Sequence, residues 1–150
     1  MDDPKRLEPI IKLAEQKKSD AGRRLASARD RQTTDQQQLN QLQEFLAEYS
    51  VRFEQAAGAG MNAQQLRDYR IFLSNIDNAI AQKKQDSVRA DRKVEESRHD
   101  WLEKHQRTEA LIGAHEHMVR QQVAQRARRE QKETDDRVGA VGVKEPYLRN

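Results

Sequence analysis

The 150-residue chain contains no cysteine, which excludes disulfide frameworks, thiolate metal sites and cysteine nucleophiles. Aromatic residues are scarce at 5%, and apolar residues overall reach only 35%, where a compact domain typically carries about 45–50%. A thick hydrophobic core is therefore excluded. No apolar run approaches the roughly 20 residues needed to cross a bilayer. The opening Met1-Asp2-Asp3-Pro4 lacks a signal-peptide pattern, so the expected location is cytosolic. Proline occurs at Pro4, Pro9 and Pro146 alone, leaving the long interior free of the strongest helix breaker.

What the chain has is charge. Asp, Glu, Lys and Arg make up 35% of it, and the mean hydropathy is −1.13. The 28 basic and 25 acidic residues nearly cancel, giving a net charge of +3. That excess is too small to imply a nucleic-acid partner. Two classes fit such a composition: a disordered polyelectrolyte, or long helices that each bury one narrow stripe.

Periodicity selects the helices. Steps of four and three run through Leu7, Ile11, Ala14, Lys18, Ala21, Leu25, Ala28, Gln32, Asp35, Leu39, Leu42, Leu46, Tyr49 and Phe53. All but Lys18, Gln32 and Asp35 are apolar. A looser second series runs through Tyr69, Leu73, Ile76, Ile80, Lys83, Ser87, Ala90, Val94, Ser97, Trp101, Lys104, Thr108, Leu111, His115 and Met118. Heptads sustained over this length predict a coiled coil. Between the series lies Ala56-Ala57-Gly58-Ala59-Gly60, which reads as a turn, followed by Asn62 as a candidate helix cap.

The expected fold is all-α: an antiparallel two-helix coiled-coil hairpin over residues 1–137, because a short turn makes consecutive helices neighbours. Helix one is predicted over about 5–56, the hinge over about 57–62 and the longer helix two over about 63–137. Residues 138–150, with two glycines and a proline, are predicted to be a disordered tail. A turn centred near residue 59 would set Leu7 opposite Leu111 and Leu46 opposite Phe72. Helix two then outruns helix one from about Ala114 to Arg137. That overhang still carries Met118, Val119, Val123, Ala124 and Ala127, a stripe without an internal partner.

Charge is unevenly placed. From Thr34 to Asp86 there are seven acidic and five basic residues, and the excess of base lies outside that half. Arg23, Arg24, Arg29 and Arg31 lie on helix one, and Arg126, Arg128 and Arg129 on the overhang. They form either a solvated surface with intrahelical ion pairs or a partner-facing basic end. Near the hinge, Phe45, Ile71 and Phe72 widen the apolar stripe beyond a two-helix seam. These either thicken the packing or form an exposed patch for a protein partner.

No catalytic, cofactor or metal site is expected. His115-Glu116-His117 places its imidazoles about 200° apart around a helix, and Val119 stands where the zinc motif His-Glu-x-x-His needs its second histidine. His99 and His105 also point differently. Gly58-Ala59-Gly60 lacks the Lys-Ser or Lys-Thr of a phosphate loop. Trp101 and the run Gln36-Gln37-Gln38-Leu39-Asn40-Gln41 are explained by helix packing.

Three segments carry a family resemblance. Arg6-Leu7-Glu8-Pro9-Ile10-Ile11-Lys12-Leu13-Ala14-Glu15 resembles the opening of the flagellar export protein family FliJ. Tyr69 to Ile80 is similar to its Tyr-x-x-Phe-(x)3-Leu-(x)2-Ala-Ile stretch, and the ending Arg129 to Asp136, with Trp101 in mid-helix, is similar as well. The resemblance covers about residues 5–137. It implies a non-enzymatic component of the flagellar type III export apparatus, structurally like the coiled coil of the rotary ATPase gamma subunit. Its implied partners are the ring of the export ATPase FliI, the export gate protein FlhA and export chaperones, with peripheral membrane association through those partners. Carried over by position, the gate-facing residues are Gln38, Leu42, Phe45, Tyr49, Phe72, Ile76 and Ala79. The implied ATPase-ring residues are Leu13, Lys17, Arg24, Met118, Val119, Val123, Arg126, Arg129, Gln131 and Lys132. Three other readings compete: a coiled-coil scaffold, a basic nucleic-acid-binding rod, and the stalk of a virulence-type secretion system.

Overall fold

A computed structural model describes residues 3–144, with side chains through residue 141. A short 3₁₀ turn, Pro4–Arg6, leads into helix α1 (Glu8–Ala59), and helix α2 (Ala63–Lys144) follows. Among the described residues there is no strand. The two helices pack against each other, and every position of both heptad series is buried or half-buried. The seam read from the sequence is thus the seam of the molecule.

The boundaries differ from the expected ones in three places, each for a backbone reason. At the start, Asp3 accepts a hydrogen bond from the Lys5 amide at 3.0 Å and caps the 3₁₀ turn. Pro4 and Pro9 fall where first-turn amides have no intrahelical acceptor. At the hinge, α1 continues through Gly58, since one glycine costs about 1 kcal/mol and the flanking alanines are the best helix formers. It stops at Gly60, whose φ of +97° is open to glycine and strained for other residues. Asn62 does cap α2: its Oδ1 accepts from the Gln65 amide at 2.8 Å, and Gln65 Oε1 accepts from the Asn62 amide at 3.2 Å. That reciprocal pair is a capping box. At the far end, α2 runs on to Lys144 instead of giving way to a disordered tail at residue 138. A propagating helix adds residues at little cost even across a glycine. Residues 145–150 of the expected tail lie outside the described residues.

The later hinge also resets the pairing. Gln36 meets Ser87 and Glu8 meets His115, where a turn centred near residue 59 would oppose them to Gln82 and Ala110. Moving the turn by a residue shifts each partner by two.

The chain divides into two compact units, Met1–Lys17 with Lys104–Asn150, and Lys18–Glu103. In the first, Pro4, Ala14 and Thr108 are buried. The Thr108 hydroxyl donates to the Lys104 carbonyl at 2.8 Å, which satisfies it inside the seam. His115 Nε2 lies 3.8 Å from Glu8 Oε1.

In the second unit the core is two apolar clusters. Leu25, Ala28 and Val94 pack with Trp101, and Gly22 makes room for that indole: a Cβ there would lie 3.4 Å from Trp101 Cδ1. Leu39, Ile76 and Ile80 pack with Leu42, Leu46 and Phe72. Along both helices a polar layer separates them. Asp35 is buried, accepts from Arg31 Nε at 3.3 Å and lies 3.7 Å from Lys83 Nζ. Lys83 also donates to Gln38 and pairs with Asp86 at 3.9 Å. Gln32 donates to Asp91 at 2.8 Å. The layer is cross-linked from α1 to α2.

The two hinge glycines should respond with opposite signs. Nothing lies within 4 Å of a Cβ added at either Gly58 or Gly60, so only the backbone decides. Gly60→Ala should cost about 1–2 kcal/mol, because φ is positive. Gly58→Ala should gain about 0.5–1 kcal/mol, because the residue is helical. Urea unfolding followed by far-UV circular dichroism checks both.

Candidate partner-binding surfaces

The scarce aromatics gather where α1 ends and α2 begins. Tyr49 and Phe72 have ring centroids 4.4 Å apart, Phe45 and Tyr49 5.0 Å, and Phe53 and Tyr69 5.4 Å. Phe45 meets Phe72 edge-on at 6.1 Å, and Tyr49 meets Tyr69 at 6.2 Å. Each such pair is worth about 0.5–1.5 kcal/mol beyond its buried area. The heptad supplies Tyr49, Phe53 and Tyr69 as seam residues. Phe45 and Phe72 flank the seam, so the cluster spreads from the interior to the surface.

That spread decides what can be touched. Phe45 remains 41% exposed, while Ile76 is 6% exposed within its apolar cluster. Leu42, Tyr49, Phe72 and Ala79 are half-buried and Gln38 is exposed. Phe45, Leu42 and Gln38 line one shallow hollow of about 460 Å³ with Gln41 and Lys83. Of the seven residues assigned to a gate-facing surface, the hollow collects three, and Ile76 belongs to the packing. Gln41 and Lys83 were absent from that set. The spacing could have found Gln41, which lies three residues after Gln38 and four before Phe45, on one helical face. Lys83 was hidden by its seam position.

The residues assigned to an ATPase ring do not fall in one unit. Leu13 and Lys17 belong with 118–132 in the first unit, whereas Arg24 is in the second. Arg24 is also held at 3.2 Å by Asp100 across the seam. In the first unit, Leu13, Val119 and Val123 are exposed apolar side chains, Val123 at 62%. Lys17, Arg126, Arg129 and Lys132 are exposed, Met118 is half-buried, and Gln131 donates to Asp135 at 3.1 Å. A hollow of about 310 Å³ lies along Gln122, Gln125, Arg126 and Arg129. Beyond Gln125, every side chain described is exposed. The outer part of α2 therefore has its whole circumference open to a partner.

Among the described residues, no group of three or more His, Cys, Asp or Glu could hold a metal ion. None of their helices is long and apolar enough to cross a membrane. Both surfaces place apolar side chains beside amides and cations on helices.

Comparison with known proteins gives the family. The family model described as "Flagellar FliJ protein" matches residues 4–140. The flagellar FliJ protein of Escherichia coli (strain K12) is 26% identical over 134 residues, covering 89% of this chain and 91% of that protein. The flagellar FliJ protein of Salmonella typhi is 25% identical over 140 residues, covering 93% and 95%.

Packing and contact residues should separate by stability. Ile76→Ala should cost about 2–4 kcal/mol, as buried large-to-small changes do. Phe45→Ala should cost less, about 1–2 kcal/mol, because two ring pairs are lost while much of the ring already meets water. Thermal melts of the two variants test the division; equal losses would mark Phe45 as core.

Proposed function

The chain belongs to the FliJ family of flagellar proteins, and on that premise we propose that it is a non-enzymatic coiled-coil stalk of the flagellar protein-export apparatus. In this reading it binds the FliI ATPase ring through the first unit and the FlhA export gate through the second, and it escorts export chaperones. Its place is the inner face of the cell membrane, held there by FlhA.

The observation that carries the reading is the length of the family match, residues 4–140, which takes in both contact surfaces. The exposed Val119 and Val123, with the wholly exposed course of α2 beyond Gln125, support insertion into a ring, because exposed apolar side chains gain by burial against a partner. The hollow at Gln38, Leu42 and Phe45 supports a second protein contact, with an aromatic anchor beside polar rim groups.

The proposed mechanism is linkage. A stalk that binds the assembled ring more tightly than free subunits stabilises the assembly by its differential affinity. It raises ATP turnover without contributing a reacting group. Binding the gate through a different unit lets one chain hold both machines at once.

Two outcomes test this. ATP hydrolysis by the cognate FliI should rise on titration with the full chain, and the rise should be lost with Val119→Asp/Val123→Asp, whose exposed sites leave the fold intact. Absence of stimulation by a helical wild-type chain would replace the stalk with the scaffold reading. Phe45→Ala should weaken binding to FlhA about tenfold while leaving FliI stimulation unchanged, measured by titration calorimetry beside the ATPase assay.

A further inference from the structure

A third surface lies in the second unit on the middle of α2, apart from both sets of contacts above. Helical rows four residues apart are neighbours on a helix surface. Two adjacent rows here, Lys84-Val88-Arg92 and Gln85-Arg89-Lys93, contain four cations and no acid. Some exposed cations of this unit find acids, as Arg23 does Asp20 and Arg98 does Glu95. Lys84, Arg89, Arg92 and Lys93 are exposed and make no ion pair among the described residues. The nearby Asp86 is already engaged by Lys83. Arg89 has like charge both three and four residues on, an arrangement that opposes the helix carrying it.

Among these cations stands Val88, 50% exposed. Two hollows that share Arg89 flank it. One, of about 320 Å³, is lined by Lys84, Gln85, Val88, Arg89 and Arg92, and the other, of about 290 Å³, by Arg31, Arg89, Lys93 and Ala90 with Asp35 and Asp86. Asp91, three residues on from Val88, is engaged by Gln32, so the exposed valine flanked by Lys84 and Arg92 is complementary to an aliphatic side chain beside carboxylates.

We propose that this face binds an acidic peptide segment of a protein partner, with one aliphatic anchor seated against Val88 and carboxylates on Lys84, Arg89, Arg92 and Lys93. Charge supplies orientation and rate of encounter, and Val88 supplies the contact that distinguishes a peptide from any polyanion. A nucleic acid would use the cations and leave the valine idle.

The probe is a fluorescein-labelled synthetic peptide, three repeats of Glu-Glu-Leu-Glu, titrated by anisotropy with the full chain at low and at physiological salt. Saturable binding is expected. Lys84→Glu/Arg89→Glu/Arg92→Glu should weaken it about tenfold or more, and Val88→Ser several-fold, as does replacing the peptide leucines by serine. Arg126→Glu/Arg128→Glu/Arg129→Glu should leave it within about twofold. Circular dichroism verifies that each variant stays helical. The proposal fails if the peptide does not bind, if both charge reversals weaken it equally, or if Val88→Ser has no effect. It also fails if a DNA duplex of matched charge displaces the peptide at lower concentration.

Discussion

The narrow seam between α1 and α2 is the constraint from which the other features follow. A chain with 35% apolar residues cannot enclose a globular core, so its conformational entropy must be offset along one stripe per helix. Wherever the stripe ends, the helix surface is open. The unpartnered course of α2 beyond Gln125, the half-exposed aromatics and the cationic rows around Val88 are consequences of a fold with so little interior.

The seam is also not uniformly apolar. Asp35 and Lys83 face each other between two apolar clusters, tied to Arg31, Gln38 and Asp86. A buried ion pair contributes little net stability once desolvation is counted. What it does is oppose slippage toward the hinge-side cluster, because sliding one helix by a turn in that direction would strand both charges against Leu39 and Ile80. A polar group at one seam position fixing register is a known device of coiled coils. Here it falls where pairing errors would displace the aromatic cluster that bears the hollow.

Much of this was legible in the sequence. The heptad steps named every buried seam position, because burial in a two-helix fold depends on spacing alone. Asn62 announced the helix cap, and the scarcity of Pro and Gly announced long helices. The hinge was placed two residues early, because Gly58 and Gly60 look alike in sequence and only Gly60 adopts positive φ. That small error moved every cross-helix partner. Helix α2 outlasted its predicted end because glycine is a weak stop for a helix already under way. Which apolar residues stay exposed was the least legible part. Phe45 and Ile76 are both apolar and both near the hinge, yet one lines a hollow and the other is core, a distinction that depends on a few tens of degrees around the helix. The family resemblance supplied the identity, and the structure supplied the separation of its residues into exposed and packed.

The proposed account rests on one chain holding two partners through different units. The most direct test is native mass spectrometry of a mixture of FliI, this chain and the cytoplasmic domain of FlhA under conditions that preserve the ATPase ring. The account predicts a complex containing all three, with the chain's affinity for either partner unchanged by the other. Displacement of FliI from the chain by FlhA, with only two-component complexes at every ratio, would contradict it.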